Sequence, residues 1–189
     1  MKQKIKKFLR NTYRLMLSDK GQQNCIWSDV KKLYKENNWK YSIIEQPDVR
    51  VVQVVFQVAD KVFFEFETIL NENDLTVRTL MPWNYDEDMA QEVFIMATHL
   101  NNLFRYTKIN VLPESREVGI QVIAFQAMAL VNTSTAQQLL NMVYETAEDV
   151  NWAYRRLLET REPPALIFAE FLEHLNAKEE KSGYNSAEN

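Results

Sequence analysis

Between residues 50 and 70 apolar and polar side chains alternate with a period of two. Val52, Val54, Phe56 and Val58 are interleaved with Gln53, Val55 and Gln57; then Val62, Phe64, Phe66 and Thr68 with Phe63, Glu65 and Glu67. A strand points successive side chains to opposite faces, so this rhythm predicts two half-buried antiparallel strands joined by a tight turn at Ala59–Asp60. Tyr41 to Glu45 before them and Leu75 to Leu80 after the Asn71-Glu72-Asn73-Asp74 turn extend the run to a four-strand meander. A second hairpin follows from Ile109 and Val111, a turn at Pro113 to Arg116, and Val118, Ile120, Val122 and Ala124. The stretch Ala127 to Val131 either prolongs that strand or leads into the next element, since periodicity alone does not decide.

Elsewhere the period is helical. Ile5, Phe8, Leu9, Tyr13 and Met16 form an apolar stripe opposite lysines, which predicts an amphipathic helix from residue 2 to about 18. Gly21 to Asn24 reads as a break, with Ser28 capping a second helix whose Val30, Leu33 and Tyr34 face inward and which ends near Asn37–Asn38. Asn84 and Glu87 have capping-box spacing ahead of a helix burying Met89, Val93, Met96, Ala97, Leu100, Leu103 and Phe104. Leu139, Leu140, Val143, Ala147, Val150, Tyr154 and Leu157 define a long helix after Asn132, closed by Pro163–Pro164. Pro164 opens a last helix with Ile167, Phe168, Phe171, Leu172 and Leu175 on one side, and from Lys178 the composition predicts a disordered tail. The expected class is α+β, an antiparallel sheet with helices packed on it. The expected division is an N-terminal helix and linker over 1–26, a domain over 27–160, a C-terminal helix over 161–177 and a tail over 178–189.

Composition sets limits on this picture. With 46% hydrophobic and 12% aromatic residues in 189, there is enough apolar surface for one self-sufficient core. Only 3 glycines and 5 prolines argue against low complexity or a many-turned small barrel. A lone Cys25 cannot close an intramolecular disulfide, which points to a reducing, cytoplasmic setting. The basic start is interrupted by Lys6, Lys7, Arg10 and Arg14, so no signal-peptide core follows it, and no apolar run reaches the roughly 18 to 20 residues of a membrane span. The net charge of -4 conceals a polarity: residues 1–40 hold 11 Lys/Arg against 3 Asp/Glu, the rest 11 against 23.

The chain is poor in the groups that catalyse at neutral pH. There are two histidines, His99 and His174, the latter four residues after Glu170 with no third metal ligand at a suitable spacing. Cys25 has no histidine beside it, the three glycines make no phosphate-cradling loop, and Asp86-Glu87-Asp88 is accounted for by a helix dipole without an ion. No cofactor or metal is expected. A basic helix opposite an apolar stripe is the pattern of an interfacial or polyanion-binding segment, but the acidic chain as a whole, with pI about 5.4, weakens that attraction.

Two features point to a partner instead. Met81-Pro82-Trp83-Asn84-Tyr85 puts large side chains in a connector, where they either close the edge of the core or anchor another molecule. The outward side of the meander carries Val55, Phe63 and Ile69 among Gln53, Gln57, Glu65 and Glu67, which suggests a covered face. Val55, Phe63, Ile69, Met81, Trp83 and Tyr85 are the candidate partner-binding residues.

The order of elements, the helix end Leu100-Asn101-Asn102-Leu103-Phe104, the hairpin from Lys108-Ile109-Asn110-Val111 to Val118-Gly119-Ile120-Gln121-Val122, and the acidic amphipathic helix over 135–160 together resemble the YbjN family over about residues 27–160. Its members are candidate bacterial sensory transduction regulators and are similar in fold to type III secretion chaperones. The resemblance implies a helix-packed antiparallel sheet, a tendency to homodimerise, and work done by binding proteins rather than by turnover. The resulting expectation is a non-enzymatic, dimeric, protein-binding adaptor or chaperone-like regulator that binds no nucleic acid and inserts into no membrane. Its rivals are a peripheral membrane or nucleic-acid module using residues 1–18, and an enzyme with a dispersed acidic site around Asp86, Glu87, Asp88 and His99.

Overall fold

The computed structural model describes residues 12–125 and 131–186. The element order is α1 (Asp19–Glu36), β1 (Tyr41–Glu45), β2 (Arg50–Ala59), β3 (Val62–Leu70), β4 (Asp74–Leu80), a 3-10 turn (Glu87–Met89), α2 (Ala90–Leu103), β5 (Lys108–Leu112), β6 (Glu117–Phe125), α3 (Thr133–Thr160) and α4 (Pro164–Ser186). The six strands form one sheet in the order β1-β2-β3-β4-β6-β5, antiparallel at every step. The chain is therefore α+β, and the meander and the second hairpin are halves of a single sheet joined at β4 and β6.

All the described helices lie on one side. α3 crosses β2, β4 and β6; α1 packs on α3 and β3; α2 packs on β5; and α4 packs on α2 and α3. The inward residues of β2, Val52, Val54 and Val58, and of β3, Phe64, Phe66 and Leu70, are buried against Val30, Leu33, Tyr34, Leu140, Val143 and Ala147 of the helices. Burial of this kind is worth about 1.5–3 kcal/mol per large apolar side chain, and it fixes which way each strand faces. Asn132 starts α3 by accepting hydrogen bonds from the Ser134 and Thr135 amides at 2.9 and 3.3 Å. Arg161, in the left-handed region with φ 56°, ends it.

Four expectations are corrected. First, α1 begins at Asp19 and runs through Gly21 to Asn24, capped by Ser18 rather than Ser28. The cost of Gly21 in a helix, about 1 kcal/mol, is outweighed by burying Ile26, Trp27, Val30 and Leu33 from one continuous helix. The boundary at 26/27 falls inside that helix. Second, Asn84 caps nothing: its amide donates to the Ser115 carbonyl at 2.7 Å, and the turn starts at Asp86 without a side-chain cap. Third, α4 continues to Ser186, past the expected end at 177. Lys178 holds it to α3 through Glu148 and Asp149 at 2.8 and 2.7 Å.

The fourth correction concerns the N-terminal stripe. Ile5, Phe8 and Leu9 lie outside the described residues, as does most of the undecided stretch Ala127–Val131. Of the stripe members that are described, Tyr13 and Met16 are exposed, and Arg14 between them is buried. Its guanidinium donates to Asp29 Oδ2 at 2.5 Å, to the Val131 carbonyl at 2.7 Å and to the Cys25 carbonyl at 3.4 Å. A guanidinium offers five donors in a fixed fork, so these three acceptors from two distant segments select the arginine for the interior and leave its apolar neighbours outside.

Candidate protein-binding face

Each strand's outward residues form cross-strand rows on the side away from the helices. One row is mainly apolar: Ile44 pairs with Val51, Val51 with Ile69, Ile69 with Thr76, and Thr76 with Ile123, with Thr76 buried between its neighbours and donating its hydroxyl to Asp74 at 2.8 Å. The next row, two residues along every strand, is polar and spans all six: Ser42, Gln53, Glu67, Arg78, Gln121, Lys108. Its members bond along the row, Ser42 to Gln53 at 3.2 Å, Gln53 to Glu67 at 3.0 Å and Arg78 to Glu67 at 2.6 Å. Beyond it lie the Val55–Glu65 pair and the Leu80–Gly119 pair, and then Phe63 near the β2–β3 turn. Among the described residues no helix covers this face.

Three of the six candidate residues share it. Val55 and Phe63 are 59% and 55% exposed, and Ile69 is half-buried within the apolar row. The aromatic connector turns the other way. Met81 and Tyr85 are buried in the core, and half-buried Trp83 donates its indole N–H to Asn151 at 3.2 Å while its ring leans on Tyr154. Met81 and Tyr85 thus close the edge of the core, and only Trp83 of the three keeps part of its surface open. Sequence reading missed Ile44, Val51, Thr76 and Ile123, because a row is defined by register across strands; alternation along one strand is the only signal the sequence carries.

The inward side is tied down by polar contacts at its margins. The Trp27 indole N–H, at 2.7 Å, and Lys31 hold the Glu45 carboxyl below its ordinary range and fasten β1 over α1. Tyr34 meets Thr68 at 2.6 Å in the core, where burial pushes its phenol up to about 12, and burial raises Tyr154 in the same direction. Asn101 bonds both backbone groups of Ile109 at 2.8 Å, pinning the end of α2 to β5.

The remaining polar candidates are engaged separately. Asp86 and Asp88 pair with Arg161 at 3.2 and 2.6 Å, Glu170 with Arg156 at 2.9 Å, His99 stacks on Phe168 and His174 on Trp152. Glu170 and His174 therefore have different neighbours and do not share a ligand position. Among the described residues no group of three or more His, Cys, Asp or Glu is placed to hold a metal ion, and no helix is long and apolar enough to cross a membrane. A cleft of about 650 Å³ lies between the start of α1 and the β1–β2 and β3–β4 turns; there Asp19, Lys20, Asp48, Arg50 and Glu72 set acids beside bases. A groove of about 310 Å³ runs along α3 beside Trp152, Arg155 and His174.

Comparison with protein-family models returns no match, and comparison with curated proteins returns none. Among solved structures, the chain is similar to YbjN of E. coli, described as a candidate transcription regulator, with a TM-score of 0.47 and 7% identity over 66% of this chain and 90% of that one. A likeness of that size assigns neither family nor activity, and the α+β class rests on the sheet and helices themselves.

Proposed function

We propose that this chain is a non-enzymatic, cytoplasmic protein-binding adaptor or chaperone-like regulator that engages polypeptide through the outer face of its sheet. One observation carries the reading: every described helix is on one side of a six-stranded sheet, and the other side bears the row Ile44, Val51, Ile69, Thr76, Ile123 with Val55 and Phe63 exposed beyond it. A solvated sheet face ordinarily alternates to polar residues, and contiguous exposed apolar surface marks an interaction site. The test is affinity capture with the full chain as bait, wild type beside Val55→Glu/Phe63→Glu and Ile123→Glu variants whose urea unfolding matches it. Loss of specifically retained protein in those variants supports the reading; an identical set retained by all three removes it.

A second reading draws on exposed Tyr13, Leu15 and Met16, which follow the lysine-rich first ten residues. Apolar residues beside a basic run bind anionic lipid surfaces, and basic runs alone bind nucleic acid. Removing residues 1–11 keeps Arg14 with its partners Asp29, Val131 and Cys25, and circular dichroism checks that the truncated chain is folded. Salt-sensitive sedimentation with anionic vesicles or DNA that survives this truncation would eliminate the second reading.

A further inference from the structure

We infer that the groove along α3 beside Trp152 is a binding site for a small organic anion, a carboxylate or phosphate carried on a flat apolar body. The groove, of about 310 Å³, is lined by α3, by Ala59 at the end of β2 and by His174 of α4. A helix brings residues four apart together, with about 5–6 Å between their Cβ atoms, so Asn151 stands beside Arg155 and Trp152 beside Arg156. The central group is Asn151. Only 4% of it is exposed, and its Oδ1 accepts the Trp83 indole N–H at 3.2 Å. An indole N–H can only donate, so this bond fixes which atom of the amide is the nitrogen. Nδ2 donates to no described group, yet it is not sealed in as Tyr85 Oη and Glu92 Oε2 are, so the amide nitrogen opens on the groove with both N–H groups unused. A largely buried polar group left without a protein partner costs stability unless a molecule from outside the chain bonds it.

The other lining residues set the class of ligand. The acceptors are already engaged, Glu159 by Arg155 at 3.2 Å and Glu148 by Lys178 at 2.8 Å. The donors are not. A guanidinium carries five N–H groups in a fixed fork, and among the described residues Arg155 uses Nη2 on Glu159 and Arg156 uses Nε on Glu170, which leaves further donors on both. Open donors beside engaged acceptors select a ligand that accepts, and guanidinium groups meet carboxylate or phosphate oxygens through paired, charge-assisted bonds. Trp152 supplies the apolar part. It is half-buried, with the His174 ring stacked on it at 4.4 Å and 10° and the Phe171 ring at 5.9 Å and 28°, so its plane is held fixed for a flat body to lie along. Ligand cavities run from about 300 to 1,000 Å³, and this groove is at the small end, which fits a compact molecule better than a length of polypeptide. The groove lies on the helix side of the sheet and shares no residue with the outer face, so its fate is independent of the reading of that face.

The test is a titration of the full chain, followed by two-dimensional NMR of the indole N–H signals, with Trp152 assigned by its loss in Trp152→Phe. The probes are phenyl phosphate, benzoate, inorganic phosphate and the uncharged benzamide. Phenyl phosphate or benzoate is expected to shift the Trp152 signal saturably, and the tighter of the two tells phosphate from carboxylate. Benzamide, which lacks the charge, and inorganic phosphate, which lacks the ring, are expected to bind roughly tenfold more weakly or worse. Arg155→Gln removes an exposed guanidinium and should weaken the tighter probe roughly tenfold, whereas Glu159→Gln frees that guanidinium and should strengthen it about two- to fivefold. Asn151→Asp keeps an acceptor for the Trp83 indole but turns the open donor into an acceptor, and should abolish the saturable shift in a chain whose urea midpoint shows it folded. If that variant unfolds, the two surface substitutions decide. A purely structural role for these residues would move the urea midpoint and leave the ranking of the probes alone. No saturation by either ring-bearing anion overturns the inference, as does benzamide or inorganic phosphate binding equally well, or an affinity unmoved by Arg155→Gln and Glu159→Gln.

Discussion

Replacing Arg14 with alanine should be among the most damaging single changes outside the apolar core. The Arg14 and Asp29 side chains are each 10% exposed, and the guanidinium also serves the Val131 and Cys25 carbonyls. Alanine leaves a carboxylate in the interior with no counter-charge and a carbonyl without its donor. Removing one partner of a buried ion pair costs about 3–5 kcal/mol, and the abandoned carbonyl adds about 1 kcal/mol. Against a total stability of about 5–15 kcal/mol this is a large share, and for a chain of this length it corresponds to a fall in Tm of roughly 10 °C or more. Urea unfolding followed by circular dichroism measures it. The decisive control is Arg14→Met combined with Asp29→Leu, which removes both charges and keeps the volume; it should recover to within about 1–2 kcal/mol of wild type. A loss below about 1 kcal/mol for Arg14→Ala, or a double variant no better than the single one, would refute the reasoning that an orphaned buried charge sets the cost.

Three further outcomes are expected. Asn101→Leu removes both bonds to Ile109 and should cost about 2 kcal/mol, with faster hydrogen exchange in β5 than in β2 as its signature. Alkaline pH should destabilise the fold, because burial raises the Tyr34 phenol from near 10 to about 12 and raises Tyr154 in the same direction. Above pH 10 the unfolded chain loses these protons while the folded chain keeps them, so stability falls with rising pH by about 1.4 kcal/mol per unit for each group. Urea midpoints measured alongside tyrosinate absorbance check this; a flat profile, or both phenols ionising in the folded chain at the ordinary value, would contradict it. Lys178→Met leaves Glu148 and Asp149 without their shared cation, and exchange protection in the last turns of α4 should drop while that of α3 is kept. Equal protection with and without Lys178 would mean that the pairing does not hold the end of α4.

What the sequence revealed and what it concealed divide along a physical line. The alternation of Val52 to Val58 and of Val62 to Thr68 was readable because one face of each strand is buried, and a slip of one residue would turn the whole set outward. The α+β class followed from it. The start of α1 was misplaced because Gly21 and Asn24 are weak helix formers judged alone, whereas tertiary burial of Ile26 and Trp27 carries the helix through them. Nothing beside Arg14 in the sequence marks it for the interior, since its acceptors at Asp29 and Val131 lie 15 and 117 residues away. The loop position of Met81 and Tyr85 leaves core plug and partner anchor both open, and their burial answers to the first, since a short connector across the end of a core can turn its large residues inward.

The outer face shows the same division at the level of function. Val55, Phe63 and Ile69 could be named from alternation within β2 and β3, but they are separated by a polar ladder and do not by themselves form one patch. The continuous row appears only when β4 pairs with β6, a contact that brings Thr76 beside Ile123 across 47 positions of chain. That pairing also sets Glu67 and Arg78 at the centre of the face with Lys108 at its far edge. A face built from rows of alternating character recognises register as well as hydrophobicity, because shifting a partner by one row along the strands exchanges apolar contacts for charged ones. Specificity on such a surface comes from the cost of misalignment, and the charges between the apolar rows are what impose it.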